Sequence, residues 1–295
     1  MTMRSRRGLN RTQSQPLRLV EAISPAERKA YFARLGKWRK QIGALDRAQQ
    51  AELIRFLSDA RKGIITAMSS ATDFRAYHLR ELQAEFKVVM DTFASRYGQL
   101  MVGAQRAHAD MGWSMVFDQM EKLSPDALGK MAGITGLSAD VLESAALMSG
   151  DLITNITATA LQNINREVRF ASMGIKSPWD AMGAIGKNLT DPSVFGTIKT
   201  RAEVILRTET GRIRSQAGQA AMDRVKDVHP RVRKKWLWSG IGRAEHAEID
   251  GVEVKVDEEF TDGYGNSGMQ PRLFGEPESD IACGCTTIIV LAKEK

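Results

Sequence analysis

Cysteine is almost missing from this chain: 295 residues contain two, Cys283 and Cys285, one residue apart. That count excludes a disulfide framework and makes a reducing compartment the default expectation. No uncharged apolar run approaches the ~18–20 residues that cross a bilayer. Met1–Asn10 is rich in arginine, yet no apolar segment follows it, so it is not expected to be a secretory signal. HExxH and GxSxG are absent, and the zinc-deaminase pattern fails because the chain has C-x-C in place of C-x-x-C. The composition that remains is ordinary, with 43% apolar and 26% charged residues. Wholesale disorder and fibre are thereby excluded, and the length suits one large domain or two average ones.

Charge is unevenly placed. Met1 to Gln41 holds eleven Lys and Arg against only Glu21 and Glu27. This segment carries +9 while the whole chain carries +7, which leaves the remainder at −2. The pattern is a basic arm on a near-neutral body. Arg4, Arg6, Arg7, Arg11 and Arg18 are candidate contacts to nucleic acid or another polyanion, and a solvated tail is the plainer alternative.

Residues 1–23 lack periodicity and read as a flexible arm. Ser24-Pro25-Ala26-Glu27 is a capping box with Pro at the first helical position, and predicts a helix to about Ile42, followed by a second from Asp46 to about Ser69. Thr72 to Leu123 contains no proline. Leu82, Phe86, Val89, Phe93, Tyr97, Leu100 and Ala104 recur there every three or four residues, one face of a helix. At ~1.5 Å per residue such a helix reaches about 75 Å, against about 50 Å for a compact domain of this size. The expectation is an elongated molecule bent at least once, near Gly98, Gly103 or Gly112. Ser124-Pro125, Ser138 and Ser177-Pro178 each read as a helix start, and Asp191-Pro192 opens a helix to about Val228.

The character changes after His229-Pro230. Val232 to Ser239 reads as a strand, Asp250-Gly251 as a tight turn, and Thr286 to Leu291 as a final buried strand. The predicted fold class is mainly α and elongated, with a small C-terminal α+β module. The predicted division is an arm at 1–23, a helical domain at 24–189 and an α+β domain at 190–295.

Gly263 to Gly268 matches GxGxxG, but neither a preceding strand nor a following helix supports a dinucleotide site, so it reads as a loop. One set of residues has metal-binding chemistry. His246, Asp250, Cys283 and Cys285 combine thiolates, an imidazole and a carboxylate, which suits a structural zinc. The i, i+4 spacing of His246 and Asp250 fits one helical turn, and C-x-C directs both sulfurs to one side of an extended strand. The plain alternative is two buried cysteines and a surface histidine. Arg207-Thr208-Glu209-Thr210 with Arg212 reads as an ionic cluster, with Arg207 paired to Glu203 and Glu209 to Arg212.

In order, the chain presents Arg201-Ala202-Glu203, Arg207-Thr208-Glu209-Thr210, Lys235-Trp236, Arg243-x-x-His246-x-x-x-Asp250-Gly251, an acidic turn before Phe260, a Gly/Pro loop and Cys283-x-Cys285 before a terminal strand. This ordered set, over about residues 190–291, resembles the phage head morphogenesis family, the Mu F-like minor head proteins of tailed bacteriophages. That family usually has Asn before the first cysteine and Arg between the two; here these positions are Ala282 and Gly284. The resemblance implies a minor structural protein of the virion head, present in the host cytoplasm during assembly. Its implied partners are the portal protein or major capsid protein and packaged DNA, and its implied roles are head assembly, packaging or DNA delivery. Some relatives carry a C-terminal enzyme or toxin, and with ten residues after Cys285 none is expected here. The alternatives are a metal-dependent enzyme such as a nuclease, or an effector delivered from the virion; no catalytic constellation supports an enzyme.

Overall fold

The computed structural model describes residues 25–71, 76–123, 136–240 and 243–292. The basic arm, with Arg4, Arg6, Arg7, Arg11 and Arg18, and the short helix expected after Ser124-Pro125 lie outside the described residues. Those described form seven helices and five short strands.

Helix α1 runs Pro25–Ser70 and α2 runs Ala76–Leu123. Two helices were expected where α1 stands. The chain instead passes straight through Gly43, because an interior glycine costs only about 1 kcal/mol. Burial of Leu53, Phe56, Leu57, Ala60, Ile64 and Met68 along the same helix outweighs that cost. Nor does α2 break at Gly98, Gly103 or Gly112. Its 48 residues span about 72 Å, so the elongation expected of this stretch is present without an interruption.

Helices α3 (Ala139–Ser172), α4 (Pro178–Gly186) and α5 (Val194–Val228) follow. Their starts are set by serine caps. Ser138 accepts from the Val141 amide, Ser177 from Asp180 and Ser193 from Gly196. The last start falls two residues after the expected Asp191-Pro192, where the Asn188 side chain instead accepts the Thr190 and Asp191 amides in a turn. Gly174, at φ 70°, ends α3 in the left-handed conformation that glycine tolerates best.

Helix α2 packs against α1, α3 and α5. The stripe read from the sequence is its buried face: Leu82, Phe86, Phe93, Tyr97 and Ala104 are buried, with Met90 and Met101 beside them. They join α1, α3, α4 and the first half of α5 in one core. A second core lies at the far end of α2. There Val116 and Met120 meet Ala221, Met222 and Val225 of α5 and the sheet residues Val232 and Ile289. At the intervening crossing, a Cβ on Gly112 would lie 2.3 Å from the Arg214 carbonyl oxygen. Glycine here permits close approach of two helices and does not serve as a bend.

Strands β1 (Val232–Leu237), β2 (Glu253–Lys255) and β5 (Thr286–Leu291) form an antiparallel sheet in the order β2-β1-β5. Register pairs Lys235 with Glu253 and Trp236 with Thr287. Phe260–Thr261 (β3) and Ser267–Gly268 (β4) form a two-residue hairpin around Asp262 to Asn266. The GxGxxG segment is thus a hairpin turn. Helices α6 (Ala244–Ala247) and α7 (Pro277–Asp280) are single turns in the connecting loops. No described helix is long and apolar enough to cross a membrane.

Candidate metal centre

Three side chains from two distant segments converge beside β1. His246 comes from α6, and Cys283 and Cys285 from the loop entering β5. Their ligand atoms all lie within 4.8 Å of one another. The Nδ1 atom of His246 is 3.5 Å from Cys283 Sγ and 3.8 Å from Cys285 Sγ. All three are buried, at 1%, 4% and 3% exposure for His246, Cys283 and Cys285.

The position is set by an aromatic box. Trp236 of β1 is fully buried and makes edge-to-face contacts with His246, Phe260 and Phe274, at 5.3, 5.2 and 5.8 Å between ring centres. Phe274 also stacks on the imidazole at 5.7 Å. The Arg243 guanidinium, just before α6, donates to the Ile281 carbonyl at 2.7 Å and so ties the histidine segment to the cysteine loop.

Asp250 stands apart from this group. Helix α6 ends at Ala247, so the helical turn that would have aligned His246 with Asp250 does not extend that far. Asp250 Oδ1 instead accepts the Trp238 amide at 2.9 Å, and Gly251, at φ 81°, completes the turn. Among the described residues no fourth His, Cys, Asp or Glu joins the group.

The run Thr208 to Arg212 on α5 supports the cysteine loop. Thr208 Oγ1 accepts the Ala282 amide at 3.1 Å. Glu209 holds Arg212 through both oxygens at 2.6 and 2.7 Å, and Arg212 Nε donates to the Arg272 carbonyl at 3.2 Å. Asp280 accepts the Phe274 and Gly275 amides. Burial pushes the Glu209 carboxyl above its ordinary range, against the pull of Arg212. Glu203 pairs with Lys199 at 3.2 Å and Gln50 at 3.0 Å, while Arg207 is exposed. Of the two expected ion pairs, the structure forms Glu209–Arg212 and gives Glu203 other partners.

Arg272 was not visible as a site residue. It is buried at φ 69°, and it packs so tightly on α5 that a Cβ on Gly211 would meet its Nε at 2.4 Å. Burial lowers its pKa, and the negative charge of the Cys283 and Cys285 sulfurs opposes that shift. The mutual hydrogen bond of the two thiols holds Cys283 below the ordinary thiol value and Cys285 above it, with burial acting upward on both. No motif would have signalled Arg272, which lies in a Gly/Pro loop without periodicity.

The residues on either side of Cys283 are both tightly constrained. Ala282 adopts φ 56°, a left-handed conformation in which Asn is far commoner than Ala. Any Cβ at Gly284 would lie 2.9 Å from Ser239 Cβ, so a larger residue needs Ser239 to move.

A second buried polar cluster adjoins the centre. His108 of α2 contacts Arg214 through Nδ1 at 2.9 Å, and Gln49 and Asp46 of α1 through Nε2 at 3.2 and 3.3 Å. Arginine only donates, so Nδ1 is the acceptor and Nε2 carries the proton. Burial, reinforced by Arg214 and Arg272, pulls His108 down to about 3.

Residues 143–288 match the family model described as phage Mu protein F like protein. The match begins inside α3, earlier than the sequence motifs suggested. A protein named NAD(+)–arginine ADP-ribosyltransferase EFV, from Enterococcus faecalis (strain ATCC 700802 / V583), is 25% identical over 88% of this chain. The chain spans about half of that relative's length, 56%. No solved structure matches. Helix α5, the three-stranded sheet and the His246–Cys283–Cys285 group all fall within residues 143–291, and the matched segment, just under half of the chain, is similar to the Mu F-like family of phage head morphogenesis proteins.

Proposed function

We propose that this chain is a minor structural protein of a tailed-phage virion. It sits at the portal or inner capsid and acts in head assembly, DNA packaging or DNA delivery. The observation that carries this reading is the Mu F-like match over residues 143–288, with the ordered motifs on α5, β1 and the cysteine loop. The +9 charge of Met1 to Gln41 supports contact of the arm with packaged DNA or an acidic portal surface. The transferase activity in the relative's name stays with that protein, because identity is 25% and about half of its length is unmatched. An enzyme built on His246 and the cysteines has less support, since all three side chains are buried and a catalytic metal needs an open position that substrate can reach.

Purified virions sedimented to constant composition and probed for this chain should contain it in few copies. Its absence from full heads would overturn the reading. The arm is tested separately with duplex DNA. Deleting residues 1–23 should reduce the slope of log affinity against log salt by up to roughly 4–5 units if its five arginines all meet phosphates. An unchanged slope would assign the arm to protein docking.

A further inference from the structure

We propose that His246, Cys283 and Cys285 bind one zinc ion, and that this ion closes the C-terminal module.

The distances are the first argument. Tetrahedral zinc with ~2.0–2.1 Å bonds to nitrogen and ~2.3 Å bonds to sulfur sets nitrogen and sulfur about 3.6 Å apart. The observed separations from His246 Nδ1 are 3.5 and 3.8 Å. One imidazole nitrogen has one lone pair and cannot serve two S–H donors well. A shared centre between the three atoms satisfies all of them at once.

The second argument is polar satisfaction. His246 Nε2 is buried and has no hydrogen-bond partner among the described residues. A thiol is a weak donor, so a metal-free site leaves a buried imidazole poorly served at both nitrogens, which is unfavourable for a buried polar group. A metal on Nδ1 removes half of that deficit. Two thiolates would also neutralise the divalent charge, with Arg272 and Arg214 as buried cations close by.

The third argument is need. His246 and Cys283 are 37 residues apart, and that loop carries β2, β3, β4 and α7, none longer than four residues. The local core is small: Trp236, Ile249, Phe260, Phe274 and the two cysteines. A metal clip that closes a loop of this length removes much of the entropy of the open chain.

The test uses the full chain, purified reduced and without chelator. Elemental analysis should find one zinc per chain. Replacing it with cobalt(II) should give the visible and thiolate charge-transfer bands of a tetrahedral two-sulfur site. Cys283→Ser and Cys285→Ser should each weaken metal binding by more than the roughly 10–100-fold typical of losing an outer partner, whereas Asp250→Asn should keep it. Chelation should lower the melting temperature. If the serine variants do not fold, the cobalt spectrum and metal content of the unaltered chain still decide the matter. Absence of both metal and cobalt bands in the reduced chain would overturn the proposal. So would a Cys283–Cys285 disulfide in protein isolated from reducing cells, which would make the pair a redox element.

Discussion

Acid should destabilise this protein through one histidine. His108 is neutral in the folded state, with a pKa near 3, against about 6.5 in the unfolded chain. Its folded pKa is depressed, so the stability it contributes is complete above pH 6.5 and drains away as pH falls towards 3. Between those limits the unfolded chain holds one more proton than the folded one. The loss is at most about 1.4 kcal/mol per pH unit, or roughly 2 kcal/mol from pH 6.5 to pH 5. The cause is geometric: protonating Nδ1 would aim a new N–H at the Arg214 guanidinium 2.9 Å away. The faces around the ring are held by Asp46 and Gln49 of α1, Arg214 of α5 and, close by, Arg272. Asp46, held above its ordinary value chiefly by burial, binds a proton more readily when folded and works the other way at the acid end. The informative window is therefore pH 5–7. Urea unfolding across it should show a steep slope in the unaltered chain and a flatter one in His108→Gln, whose amide can still both donate and accept. Equal slopes, or a His108 imidazole signal titrating near 6.5 in the folded protein, would refute the reasoning.

Two further predictions concern the backbone. Gly112→Ala forces a methyl group to within 2.3 Å of the Arg214 carbonyl; it should cost about 1–3 kcal/mol, even after the helix-propensity gain, read as a lower urea midpoint with an unchanged m-value. Ala282→Gly relieves the left-handed strain at φ 56° and should stabilise by about 1 kcal/mol, with Ala282→Asn moving the melting temperature in the same direction.

The helix starts at Ser138 and Ser177 were legible because a cap is a local device: one hydroxyl, one amide three residues on. The buried face of α2 was legible because its period repeats for more than twenty residues. Other features depend on partners distant in sequence. Gly112 looked like a break, and only the path of α5 shows that it makes room for a backbone. Gly43 looked like a boundary, and only the core beneath α1 keeps the helix whole. In the site, residue type pointed to His246, Cys283 and Cys285. Asp250 was drawn in by an assumed helix that stops at Ala247. Arg272 was missed, and Thr208 was read only as part of an ionic cluster, because their roles lie in a close approach and a single hydroxyl, which no spacing encodes.

The edge strand β5 has a consequence for where this protein can be cut. Its Ile289 amide does not face solvent; it donates to Gln119 Oε1 of α2 at 2.8 Å. Val116 and Met120 of the same helix cover the sheet from the same side. All three lie outside residues 143–288. The stretch recognisable by family and the stretch able to fold independently are therefore different lengths of chain. Expressed alone, the recognisable stretch would present a bare strand edge and an uncovered apolar face, the two features that drive chains to pair with copies of themselves. The cooperative unit includes α2, a helix that the family match leaves out.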